Sequence, residues 1–254
     1  MNAPQIVWLR RDLRLADQPA FHAAAAAGPV IPVYVLDDET PKHRKMGGAS
    51  RWWLHHSLAS LARDLEARGS RLILRRGRCD EVMAELARET GASAVHALRH
   101  IEQWWLEAER AVAEALPAGM VFEQHEGLYL LPPGSATSGQ GGQYRIFTPF
   151  YRALLSHMPP PAPLSEPDLS APSTWPDSDR LEDWGLLPTS PDWAGGFREA
   201  WQCGEAAARA QLEDFARRVA GYDEVRNLPS IDGSSRLSPH LHFGELSHAQ
   251  VWHA

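Results

Sequence analysis

The chain has 254 residues, 44% of them hydrophobic and 22% charged, with a formal net charge of −7 at pH 7. That balance fits a globular chain of one to two domains, excludes a disordered one, and argues against indiscriminate nucleic-acid binding by the whole surface. No apolar run approaches the roughly 18–20 residues that cross a bilayer, and MNAPQIVWLRRDLR lacks the pattern of a secretory signal.

The first 125 residues alternate short β-branched runs with helical stretches. Gln5–Leu9 reads as a strand, Pro19–Ala27 as an alanine-rich helix and Val30–Val35 as a second strand. Ser50 is placed to cap a long helix in which Leu54, Leu58, Leu61 and Leu65 recur at helical spacing until Gly69. Arg71–Leu74 follows as a third strand. Asp80–Thr90 reads as a helix capped by Asp80 and closed near Gly91. Ala94–Leu98 is a fourth strand, Glu102–Leu116 a helix and Met120–Gln124 a fifth strand. Such βαβαβ alternation predicts an α/β fold, doubly wound, with a mostly parallel five-stranded sheet and helices on both faces.

Beyond this point the pattern changes. Leu128–Leu131 is apolar, and PPGSATSGQGGQ is a glycine-rich connection without phosphate-loop spacing. Order resumes over Tyr144–Leu155. From Pro159 to Trp193 the chain is rich in Pro, Ser and Asp, which predicts a linker between two domains. Glu205–Val219 is helical, with Ala208, Leu212, Phe215 and Val219 on one face. The expected division is 1–131 for the α/β domain, 132–200 for the connection and 201–254 for the start of a second, helical domain.

Charge is unevenly distributed. Arg10, Arg11 and Arg14 cluster, as do Lys42, Arg44 and Lys45, and Arg71, Arg75, Arg76 and Arg78; each group reads as a solvated rim or a local basic face. Arg10, Asp12, Asp37 and Asp38 fall at the carboxyl ends of strands, where open α/β sheets bind ligands or place salt bridges. Trp52–Trp53 and Trp104–Trp105 are adjacent on helices, so each pair is expected to bury one ring and to present the other to a surface or cleft. Cys79 and Cys203 make no disulfide scaffold, which suggests a reducing, cytoplasmic setting. No metal site is expected, since His55 and His56 point to different helix faces and His240-x-His242 lacks a third ligand.

The most informative stretch is GYDEVRNLPSIDGSSRLSPHLHFGELS, 221–247. Ser234, Ser235 and Ser238 interleave with Arg236 and Leu237 at the mouth of a predicted helix. Free helix N–H groups beside hydroxyls and a guanidinium are the chemistry a pyrophosphate needs.

IVWLRRDLRLAD, SRWWLHHSLASL, YRIFTPFYRA, WQCGEAAARAQLEDF and the stretch above resemble, in order, segments of the DNA photolyase/cryptochrome family; Cys203 replaces a usual proline. The resemblance implies an α/β antenna domain for a folate or deazaflavin, followed by the start of an all-helical domain holding FAD. It implies cofactor contacts at Tyr222, Ser234, Ser235, Arg236, Leu237 and Ser238, with Leu237 lying against the cofactor, and a DNA-phosphate contact at Arg226. For the antenna it points to Arg51 and Glu102; Glu102 matches the first acid of a folate pattern, while Trp105 occupies the place of the second.

The implied activity is light-driven repair of cyclobutane pyrimidine dimers in DNA by a monomeric deoxyribodipyrimidine photo-lyase, without membrane attachment. A cryptochrome light sensor and a stand-alone α/β chromophore- or nucleotide-binding module are the alternatives. Family members continue well beyond this length, so the catalytic residues are expected outside this chain. Its last residues are expected to be poorly ordered, with FAD binding weak or absent in this portion alone.

Overall fold

In a computed structural model of the protein, residues 2–39, 45–139 and 141–254 are described. Lys42 and Arg44 of the second basic cluster, and Gln140 of the glycine-rich connection, lie outside them. Five strands, β1 (Gln5–Leu9), β2 (Val30–Leu36), β3 (Ile73–Arg76), β4 (Ala94–Leu98) and β5 (Val121–His125), form one sheet in the order β3-β2-β1-β4-β5. Every pairing is parallel. The helices α1 (Pro19–Ala27), α2 (Gly48–Glu66), α3 (Cys79–Thr90) and α4 (Gln103–Ala115) connect them.

Strand alternation sorts the core into two layers. Val7 and Leu9 of β1 pack with Phe21, Leu54 and Leu58 toward α1 and α2. Ile6 and Trp8 pack with Met83, Leu86 and Val112 toward α3 and α4. Both faces of β1 are therefore dry, as a central parallel strand requires.

Local expectations hold to within a residue or two, and the departures have physical causes. β3 begins at Ile73 rather than Arg71, because pairing with Val33–Leu36 of β2 sets its limits. α2 starts at Gly48 behind Gly47, so Ser50 lies inside the helix and is not its cap. α3 starts at Cys79 after Arg78; Asp80 instead sits in the first turn, where a carboxylate complements the helix dipole. Trp52 and Trp53 are both buried, at 2% and 4% exposure. A second layer of aromatic residues covers each: Phe197 on Trp52, and Trp201 and Phe243 on Trp53. Trp104 and Trp105 are both half-buried rather than split between core and cleft. The third basic cluster is largely neutralised, with Arg75 on Glu89, Arg76 near Asp38 and Arg78 on Asp80.

Between the sheet and the C-terminal helices, α5 (Phe147–Leu155) buries none of its residues. The proline-rich stretch does not hang free. It exchanges Asp17 N–H to Leu164 O and Leu164 N–H to Asp17 Oδ1, then accepts from Val30 N–H at Ser170 O and donates from Asp179 N–H to Leu74 O. Its polar backbone is thus satisfied against the sheet domain.

The helical part comprises α6 (Gly195–Ala200), α7 (Glu205–Arg218), α8 (Tyr222–Val225), α9 (Ser238–Phe243) and α10 (His248–His253). α7 ends before Val219, which is 50% exposed and leaves the apolar face at Phe215. The last residues, for which little order is expected from the sequence, take up a capped helix. Ser247 and Gln250 form a reciprocal capping box at the start of α10, and Glu245 and Leu246 are buried. The Glu245 carboxylate accepts from Trp53 Nε1 at 3.1 Å, Gly204 N–H at 2.8 Å, the Ser57 hydroxyl and His240 Nδ1. A buried carboxylate with four partners is satisfied where an unpaired one would be costly. Gly244 is required beside it, because φ is +66° and a Cβ would lie 2.1 Å from Arg11 O. No described helix is long and apolar enough to cross a membrane.

Candidate functional site

Two sites meet at α9, a helix of six residues and about 9 Å in length at 1.5 Å per residue. The first is a cleft of about 240 Å³ at the carboxyl ends of β1 and β2, where parallel sheets bind ligands. Tyr34 of β2, Asp37 and Asp38 just after it, Cys79 at the start of α3, and Trp104 and Trp105 of α4 line it, and His242 and Phe243 of α9 close it.

Arg10 borders this cleft but is committed elsewhere, to Glu109 and Leu98 O, with its guanidinium 4.5 Å from the Trp8 ring and 5.2 Å from Trp105. Asp12 accepts from Arg10 N–H and Gln18, so both residues serve the fold. Asp37 accepts from Cys79 N–H at 2.9 Å. Burial first, then the Asp37 charge, pushes the Cys79 thiol well up, so it stays neutral. Burial likewise raises the Tyr34 phenol and lowers the His242 imidazole. The result is an aromatic slot with neutral hydrogen-bonding groups and a lip of mixed charge, Asp37 and Asp38 beside Arg11 and Lys45.

Arg51 donates to Asp38 Oδ1 at 2.6 Å and to Met46 O at 2.9 Å, so it acts on the cleft through Asp38. Glu102 is held by His100 Nδ1 at 3.3 Å, Arg11 at 3.4 Å and the Tyr129 hydroxyl at 3.4 Å. The His100 hydrogen bond, ahead of other effects, brings its carboxyl down to about 2. Its oxygens therefore already have partners within the protein.

The second site is the mouth of α9, which hangs from one face of α7. Gln211, Phe215 and Arg218 recur at i, i+4 and i+7. Gln211 Nε2 donates to Ser235 O at 3.0 Å, and Arg218 Nη1 donates to Asp232 O at 2.7 Å. Phe215 meets the Tyr222 ring edge-on at 5.5 Å. Ser234 and Ser238 are exposed and Ser235 is half-buried. Arg236 adopts φ +54°; its guanidinium lies 4.4 Å from the Trp201 ring and donates to Ala200 O at 3.0 Å. Leu237 is 3% exposed and packs with Ala208, Leu212 and Leu246. Its side chain is thus a core contact rather than the apolar cofactor contact expected of it, which leaves its main chain at the mouth. Arg226 is exposed, 5.1 Å from the Tyr222 ring.

The mouth carries serine hydroxyls and backbone N–H groups, with the Arg236 guanidinium beside it on Ala200 O, donors of the kind a diphosphate takes. Tyr222 is tied to α7 through Phe215, and Arg226 to Tyr222. Local reading missed the residues that close the cleft, His242 and Phe243, because they arrive from α9. Its visible signals were Asp37 and Asp38 at the carboxyl end of a strand and the adjacent indoles at 104 and 105.

A family model described as DNA photolyase matches residues 5–168. The chain is 43% identical over 257 residues to the deoxyribodipyrimidine photo-lyase of Agrobacterium fabrum, across 100% of this chain and 53% of that protein. It is 33% identical over 263 residues to cryptochrome-1 of Arabidopsis thaliana, across 98% of this chain and 37% of that one. The crystal structure of a bacterial class III photolyase from Agrobacterium tumefaciens superimposes with a TM-score of 0.93 at 42% identity, over 100% of this chain and 53% of that one. The chain belongs to the DNA photolyase family. It spans about half the length of the photolyases it matches.

Proposed function

We propose that the protein works in light-driven repair of cyclobutane pyrimidine dimers in DNA, as a monomer, with this chain supplying the antenna domain and one wall of a flavin site. The observation that carries this reading is the donor set over Ser234–Ser238, braced by the Gln211–Phe215–Arg218 face of α7. Ser234, Ser235, Ser238 and Arg236 would hold the FAD diphosphate, the Leu237 N–H, which donates to Ser235 Oγ at 3.4 Å, would orient that hydroxyl, and Tyr222 would border the cofactor. Held there, a reduced flavin would supply the one-electron chemistry that cyclobutane opening needs. Arg226, exposed just after α8, would contact a DNA phosphate near the lesion. A dimer that already disturbs stacking lowers the cost of flipping it toward such a site. The remaining wall and the reacting groups belong to polypeptide outside this chain.

The cleft at the sheet edge fits a planar heteroaromatic antenna, a folate or a deazaflavin. Trp104 and Trp105 would stack on or edge its rings, and Asp37 and Asp38 would meet its polar margin. Arg51 would orient Asp38. Glu102 would act through Arg11, since its own oxygens are engaged. The boundaries at 131 and 200 are proposed on the same reading.

The test is blue-light illumination of UV-damaged oligothymidylate with the protein at its family's full length. Light-dependent recovery of thymine absorbance supports repair. Flavin photochemistry without that recovery would assign the chain to the sensor role that the Arabidopsis relative's name suggests. A colourless protein that refuses FAD removes both readings.

A further inference from the structure

On the α1 side of the sheet, in a layer otherwise built of apolar residues, a polar row crosses three neighbouring strands. Gln5 of β1 and His96 of β4 are 4% and 2% exposed. Glu123 and His125 of β5 follow on the same face, two residues apart. Register sets His96 directly opposite Glu123. Above them the alanines of α1 leave a groove, lined by Ala23, Ala27, Val121, His96 and Glu123. Buried polar side chains in a sheet core are costly unless they are partnered.

The partners fix which atoms face inward. Gln5 Nε2 donates to Ala3 O at 2.9 Å and to Ser93 Oγ at 2.8 Å. Its Oε1 is thereby turned to His96 Nε2, 3.2 Å away. A carbonyl oxygen accepts, so His96 carries its proton on Nε2 and presents the Nδ1 lone pair to β5. His125 Nε2 lies 3.0 Å from that lone pair, and Glu123 Oε2 lies 3.5 Å from it. The three ligand atoms all fall within 4.8 Å of one another. Tetrahedral zinc with bonds of about 2.0–2.1 Å separates neighbouring ligands by about 3.3 Å. Two of the three gaps bracket that edge, and the third lies within 4.8 Å.

We propose that His96, Glu123 and His125 form a zinc site bridging β4 and β5, with Gln5 as the outer hydrogen bond that orients His96. This inference is independent of the flavin reading. Without metal, the two imidazole planes differ by 17°, and the His125 Nε2–H donates to His96 Nδ1. Uptake of the ion replaces that shared proton: His125 binds through Nε2 and carries its proton on Nδ1, so no net proton is released. A turn of the half-buried His125 ring opens the in-line arrangement to the bent one that an ion needs. Two imidazoles and a carboxylate suit Zn²⁺, and the groove admits a water as fourth ligand. The ion would fasten the edge strand β5 to the buried strand β4.

Chelator-treated protein of residues 1–254 is titrated with Co²⁺ and followed by visible ligand-field absorption, then challenged with Zn²⁺. The expected result is one equivalent of Co²⁺ with a tetrahedral spectrum, displaced by one equivalent of Zn²⁺. His125→Ala and Glu123→Ala, both on the accessible edge strand, should lose that spectrum while keeping the native far-UV circular dichroism. Gln5→Leu should weaken binding by about 10–100-fold, the usual effect of removing an outer-sphere partner. Absence of a tetrahedral spectrum in the unaltered chain, or its survival in both Ala variants, overturns the proposal and leaves a histidine pair that shares a proton.

Discussion

Glu102 shows how a single residue can match a pattern and yet be occupied. Hydrogen bonding from His100 and the Arg11 charge favour its ionised form. Its pKa is depressed on folding, so its contribution is complete above the ordinary value near 4.5 and is lost as pH falls through about 2. Glu102→Gln should therefore cost on the order of 1 kcal/mol at neutral pH after allowance for solvent screening. The gap between variant and parent should narrow as urea midpoints are followed down into acid. Arg226 is the opposite case, exposed and resting against the Tyr222 ring. Arg226→Ala should leave stability within about 0.5 kcal/mol. In the full-length protein it should weaken binding to damaged DNA and lower the salt dependence by about one counterion, as measured by fluorescence anisotropy across a salt series. The resemblance marked both residues in the sequence. What each side chain touches was not legible there, because His100, Tyr129 and the Tyr222 ring reach them only after the chain has folded.

At the scale of elements, periodicity carried most of the information. Leu54, Leu58, Leu61 and Leu65 recur on α2, and all four are buried beneath the sheet. Leu58→Ala should cost about 2–5 kcal/mol, since Leu58 is fully buried and its neighbours are held by the strands. Thermal or urea unfolding monitored by tryptophan fluorescence would measure it. The ends of elements were less legible. β3 moved two residues because its hydrogen-bond partner, rather than β-propensity, decides where a strand counts as paired. The caps at Ser50 and Asp80 failed because favourable side chains near a helix start do not fix which turn comes first. The indole pairs failed for another reason. A helix can bury two adjacent rings when layers pack against it from both sides, as Phe197, Trp201 and Phe243 do on Trp52 and Trp53.

Across the whole molecule, the loop after β1 binds the sheet domain to the helical part. Glu205 accepts from Leu15 and Ala16 N–H, Arg14 donates to Gly244 O, and Leu13 N–H donates to Phe243 O. Gly244 sits where that loop and α9 come closest. Gly244→Ala should cost about 1–3 kcal/mol through backbone strain alone, with more from the collision with Arg11 O. Because α9 carries the serine mouth at one end and His242 and Phe243 at the other, the same change should disturb both sites. Limited proteolysis of the variant should cut first within the C-terminal helices. The sequence by itself determined the order of strands and helices, their inward faces and the family resemblance, because periodicity and motifs are written in neighbouring residues. The tertiary structure alone decided which side chains converge: Phe243 on the sheet-edge cleft, Gln211 and Arg218 on the serine mouth, and His96 opposite Glu123 and His125. Those meetings depend on strand register and interlayer packing, which join residues far apart along the chain and leave no local mark in it.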